Sequence, residues 1–175
     1  DDTQIVLTIL SADMENPPDT LGTIGASAAL TISDIPFDGP VASVRIGHVD
    51  GELILQPTFD QIQEGDLNLI VAGTADAIMM VEAEAGEVPE QLLVDAMALG
   101  QEAITAIVAI QEQMREDHGK EKRAYTAKEL DADAEASVAA STEADLVAAL
   151  APDSGFTKAE RDDKRDELRK AVTAD

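Results

Sequence analysis

Apolar and polar positions alternate with two different periods along this chain, and the change of period divides it. "QIVLTILSA" (4–12) is dense in Ile, Val, Leu and Thr and predicts a buried strand. "DTLGTIGASAALTIS" (19–33) switches to helical spacing, with Leu21, Ile24, Ala28 and Ile32 as its apolar face and Asp19 as the expected N-cap. Its small residues Gly22, Gly25, Ala26 and Ser27 suit a helix whose backbone lies close to a sheet. After turn chemistry in "IPFDGP" (35–40), "VASVRIGHV" (41–49) alternates as a strand. Asp50-Gly51 predicts a tight hairpin into "ELILQP" (52–57). "DLNLIVAGT" (66–74) and "AIMMVEAEA" (77–85) predict a second pair of strands.

From Val88 the period is helical again. Pro89 opens a long amphipathic helix through 114 that carries Leu92, Leu93, Met97, Ile104, Ile107, Val108 and Met114 and ends before Gly119. The charged stretch "EDHGKEKRAYTAKE" (116–129) reads as a flexible boundary, followed by Ala- and Glu-rich segments of high helix propensity. Thr157 with Glu160 predicts a capping box, and Arg169 and Lys170 close that last helix in agreement with its dipole. The expected class is α+β: a sheet-and-helix domain over 1–118, then an all-α module over 119–175.

Composition narrows this outline. Hydrophobic residues make up 45% of the 175 positions but aromatics only 2%, so the core must be aliphatic. Cysteine is absent, which excludes disulfides and thiolate metal sites and fits a reducing compartment. No run approaches the roughly 18–20 uninterrupted apolar residues of a membrane span, and the acidic start is unlike a signal peptide. A strand pattern that begins at residue 4 suggests entry in mid-domain. Acidic residues outnumber basic ones 36 to 12, for a net charge of −24. Such a surface repels nucleic acid unless cations cluster, and before residue 115 the only Lys or Arg is Arg45. A solvated acidic surface, tuned for solubility or for a salty interior, is the plain reading of the charge.

Few side chains suggest chemistry. His48 beside Asp50 reads as a surface pair, and His118 as a cation at a helix C-terminus. Glu82 and Glu84 share a strand face without a third ligand, and "DADAE" (131–135) lacks the glycine and terminal glutamate of a calcium loop. The glycines of "GTIGAS" (22–27) lack dinucleotide spacing. No metal site is expected. Arg45 is the one candidate for contact with RNA or another subunit, with a local salt bridge as its alternative.

Three stretches carry a resemblance: "IGASAALTISDIPFDGPVASVRIG" (24–47), "LQPTFDQIQEGDLNLIVAGT" (55–74) and "MMVEAEAGEVPEQLLVDAMALG" (80–100). They resemble the second half of the first RNase PH-like domain (the ribosomal protein S5 domain 2-like fold) of the bacterial polynucleotide phosphorylase family. Residues 119–175 are similar in position and character to that family's all-α linker domain. The resemblance implies a parent that is a cytoplasmic homotrimer. It degrades mRNA from the 3′ end by phosphorolysis, using inorganic phosphate and Mg2+ or Mn2+, and its catalytic copy is the second RNase PH-like domain.

In the catalytic copy, a serine-rich loop before the first helix holds the attacking phosphate. The matching positions here are Pro17, Pro18 and Asp19. Each proline removes an N–H donor, and a carboxylate at the cap repels an anion. The metal-binding aspartate and the lysine two residues beyond it correspond to Asn68 and Ile70, and a further metal-binding aspartate to Ile62. The resemblance therefore implies a vestigial site, with no catalytic residue and no cofactor in this segment. It would be a scaffold that packs against the second RNase PH-like domain, completes the trimer and meets RNA only through the parent assembly, away from any membrane. The alternative is a stand-alone acidic interaction module without activity.

Overall fold

Alternation along residues 42–49 and 67–73 places one set of aliphatic side chains on a single sheet face, and that face forms the core. The computed structural model of the chain describes residues 3–127 and 129–173. The acidic Asp1 and Asp2, Lys128 of the charged stretch, and residues 174–175 lie outside the described residues. The elements run α1 (Asp19–Ile32), β1 (Ala42–Val49), β2 (Glu52–Leu55), α2 (Phe59–Glu64), β3 (Leu67–Gly73), β4 (Ile78–Ala85), α3 (Glu90–His118), α4 (Ala132–Leu150) and α5 (Lys158–Thr173). The α+β class expected from the sequence is the one observed. Contacts divide the chain into two units, Asp1–Tyr125 and Thr126–Asp175.

In the first unit the strands form one antiparallel sheet in the order β2-β1-β3-β4. Asp50 and Gly51 both take positive φ, as a tight hairpin between β1 and β2 requires. Ala42, Val44, Ile46, Leu67, Leu69 and Val71 are buried together with Ala96, Ile104 and Val108 of α3. Gly100 lets α3 come close: a Cβ there would lie 3.1 Å from Ile46 Cδ1 and 3.3 Å from Val71 Cγ2. α3 is the one described helix long and apolar enough to cross a membrane by length and composition alone. Asp95, Gln101 and Glu102 nonetheless interrupt its apolar residues, so no uninterrupted run of span length is present, as expected. Here its buried stripe of Ala96, Gly100, Ile104, Val108 and Gln111 covers the sheet.

Three local expectations change. Residues 4–12 form no strand: they pair with none of the four strands, and Val6 and Leu10 are 75% and 92% exposed. A strand needs a partner edge as well as β-branched residues, and this segment instead places Leu7 over Gly22 of α1. The buried face of α1 is Thr20, Ser27 and Thr31 with Ile24 partly covered, whereas Leu21 is exposed. Two of these hydroxyls are used: Ser27 takes the backbone N–H just before β1, and Thr20 Oγ1 accepts from Gln56, whereas the Thr31 hydroxyl has no partner among the described residues. Ser27 Oγ accepts from Val41 N at 2.8 Å, and Ser43 Oγ donates to Thr20 O at 3.4 Å. Pro18, not Asp19, holds the N-cap position, and Asp19 is the first helical residue.

The short helix α2 is an addition to the expected elements. Thr58 and Gln61 make its capping box, with Thr58 N donating to Gln61 Oε1 at 2.9 Å and Gln61 N to Thr58 Oγ1 at 3.3 Å. After α3, residues 119–125 run along the end of α1 and stay with the first unit, where the sequence pattern gives a flexible boundary.

In the second unit α4 is one continuous helix, capped by Asp131, whose Oδ1 accepts from Asp133 N and Ala134 N. The expected box at α5 is present: Thr157 N donates to Glu160 Oε2 at 2.8 Å and Glu160 N to Thr157 Oγ1 at 3.4 Å. The Thr157 amide, followed by its hydroxyl, lowers the Glu160 carboxyl below its usual range.

Candidate functional site

The sheet face opposite the core carries the polar side chains of the first unit. Register places Arg45 of β1 directly across from Ile70 of β3, Ile70 across from Glu82 of β4, and Asn68 across from Glu84. Asp19 reaches the same place from the first turn of α1. Asp19, Arg45, Asn68, Ile70, Glu82 and Glu84 thus line one cleft of about 370 Å³.

Its polar groups are joined in a chain. Arg45 Nη2 donates to Asp19 Oδ2 at 2.5 Å, Arg45 Nη1 donates to Asn68 Oδ1, and Asn68 Nδ2 donates to Glu84 Oε2 at 3.3 Å. The Arg45 side chain is only 11% exposed while that of Asp19 is about half exposed. Arg45 is therefore in the local salt bridge that was the alternative to RNA contact. Asp19 also accepts from Thr20 N at 3.0 Å, so its carboxylate lies against a helix N-terminus as well as a guanidinium. Gln56 ties strand to helix, with Nε2 donating to Thr20 Oγ1 at 3.1 Å and Oε1 accepting from Arg45 N at 3.3 Å.

Of the positions singled out in the sequence, Asp19, Arg45, Asn68, Ile70, Glu82 and Glu84 meet in this cleft. Pro17 and Pro18 stand just before α1, and Ile62 is on α2; none of the three lines the cleft. Glu82 and Glu84, expected to share a strand face, do so; that they lie across from Ile70 and Asn68 follows only from the β3–β4 register. His48 pairs with Asp66, not Asp50: Nδ1 lies 2.6 Å from Asp66 Oδ1, since Asp66 N donates to His48 O at 3.1 Å while Asp50 turns into the hairpin. Among the described residues no three His, Cys, Asp or Glu side chains are grouped to hold a metal. The cleft does not fit a divalent cation: Asn68 gives its oxygen to Arg45, and the guanidinium brings a positive charge. Nor does it suit phosphate, because one guanidinium faces three carboxylates.

The strands β1–β4 with the first half of α3 match a known class. Residues 39–103 match the family described as "3′ exoribonuclease family, domain 2". Curated relatives extend the match beyond that domain. A polyribonucleotide nucleotidyltransferase of Nitratidesulfovibrio vulgaris is 42% identical over 176 aligned positions, covering 100% of this chain and 23% of the relative. One from Heliobacterium modesticaldum is 48% identical over 137, covering 78% and 19%, and one from Thermus thermophilus 50% over 126, covering 72% and 18%. The chain spans about a fifth of the length of the curated relatives it matches. It belongs to the polyribonucleotide nucleotidyltransferase family, of which it is a segment.

Proposed function

We propose that this segment is the non-catalytic, scaffolding RNase PH-like copy of a phosphorolytic 3′-to-5′ exoribonuclease that degrades mRNA in the cytoplasm. The observation that carries this reading is the Asp19 carboxylate seated on Arg45, at the helix N-terminus where the catalytic copy would hold phosphate. An attacking phosphate would have to displace that carboxylate and enter beside Glu82 and Glu84. Asn68 and Ile70 supply neither a hard anionic ligand nor a proton donor at the reacting position. Residues 119–175 are the all-α linker on this reading. The catalytic centre lies in the second RNase PH-like domain of the longer chain, where Mg2+ or Mn2+ would neutralise charge on the phosphates during attack. Within this chain no step passes through a metal.

A scaffold makes its contribution through surfaces. The apolar side chains of residues 5–10 and Met79, Met80 and Val81 of β4 are exposed. Such surfaces suit packing against the second domain and against neighbouring copies in a homotrimer better than they suit a free-standing acidic module. RNA would then be met by the assembly and not by Arg45.

The test is direct. The purified chain, given inorganic phosphate, Mg2+ and poly(A), should release no nucleoside diphosphate above background. Release above background that depends on phosphate would overturn the proposal.

A further inference from the structure

A helix end leaves carbonyls without intrahelical partners, and α1 ends without a basic residue in its last turn. The missing cation comes from far along the chain. Lys122 Nζ donates to Leu30 O at 2.7 Å, Thr31 O at 3.0 Å and Ser33 O at 2.8 Å. Two backbone bonds flank it: Lys120 N donates to Ile32 O at 3.0 Å and Arg123 N to Asp34 O at 2.7 Å, with Arg123 Nε 3.3 Å from Asp34 Oδ2. Carbonyls of five successive residues, 30–34, are thus taken up by 120–123. Gly119 permits the turn out of α3, since a Cβ there would lie 2.3 Å from Arg115 O.

We propose that the carbonyls of Leu30, Thr31 and Ser33 form a monovalent-cation site, and that the Lys122 ammonium is its tethered occupant, clasping residues 119–125 to the end of α1. An ammonium has three donors and no acceptor, and here all three go to carbonyl oxygens. The clasp converts a charged, Gly-started stretch into a strap, and the unit beginning at Thr126 is tethered from the strap's end instead of from the end of α3. The proposal is independent of the vestigial cleft.

Amide hydrogen exchange on the full chain tests it. Lys122→Met keeps the aliphatic stem and removes the charge; the amides of Lys120 and Arg123 should then exchange roughly tenfold faster or more, with Ile104 and Val108 unchanged. In Lys122→Ala the same loss should be reversed by methylammonium chloride but not by equal tetramethylammonium chloride, whose cation cannot donate. Unchanged strap exchange in Lys122→Met, or a loss in Lys122→Ala that methylammonium fails to restore, overturns the proposal.

Discussion

The two faces of the four-stranded sheet are built from alternate residues of the same strands, yet they obey different physics. On one, Val44, Ile46, Leu67, Leu69 and Val71 pack beneath α3, whose one polar buried side chain, Gln111, donates to Val41 O. On the other, Arg45, Asn68, Glu82 and Glu84 surround Ile70, and a carboxylate from α1 closes the network. The first face is held by exclusion of water and the second by pairing of charges. A strand therefore keeps its fold while the site on its far side changes. On the proposed reading, Asn68 and Ile70 stand in place of polar ligands and leave the core face untouched, so a catalytic fold can lose its chemistry without losing its shape.

The largest expected contrast comes from neighbours on β3. Leu69→Ala should cost about 2–5 kcal/mol in chemical denaturation, because it opens a cavity in the aliphatic core. Ile70→Ala, one residue on but facing the cleft, should cost about 1 kcal/mol or less. Equal losses would mean that the faces are not energetically distinct.

Within the cleft the two halves of the salt bridge should behave unequally. Asp19→Ala leaves a largely buried guanidinium with Asn68 as its remaining side-chain partner and should cost about 1–2 kcal/mol. Arg45→Met keeps an apolar stem and leaves behind the half-exposed Asp19 carboxylate and the Asn68 oxygen, but no buried charge, so its cost should be about 1 kcal/mol or less. The reverse order in urea melts would contradict a charge-paired face.

The smallest effect lies in the loop that delivers Asp19. Asp13 accepts from the amides of Asn16 and Glu15 and from the Asn16 side chain, which hold its carboxyl at about 2, below the ordinary 3.8. A depressed value in the fold means that the turn is fully supported above 3.8 and loses support as pH falls through about 2. A carboxyl titration by NMR should give a midpoint near 2 for Asp13, and a midpoint near 3.8 would show the turn absent in solution.

Periodicity and turn signals such as Asp50-Gly51 place α1, the four strands and α3, while helix propensity and the Thr157–Glu160 box place the last helix. What they missed needed information from distant residues. Whether 4–12 pairs depends on a partner edge, not on its β-branched content. The buried face of α1 escapes a hydrophobicity pattern because Thr20 and Ser27 use their hydroxyls in hydrogen bonds and Thr31 is buried with its hydroxyl unpaired among the described residues, all three being residues such a pattern ranks as surface. Thr58-x-x-Gln61 was a legible helix start that went unread. In the cleft, Asn68, Ile70 and Asp19 stand out through the family resemblance, and strand alternation adds only that Asn68 and Ile70 share a face. Glu84 depended on register, and the Asp19–Arg45 bond spans 26 positions that no local rule connects.

The most direct test of the closed cleft is equilibrium dialysis of radiolabelled inorganic phosphate against the purified chain, with Arg45→Met alongside. The account predicts no saturable binding to either protein at millimolar phosphate, because Asp19 already occupies the guanidinium. Saturable binding to the unaltered chain that disappears in Arg45→Met would show that the cleft still takes phosphate, and would contradict it.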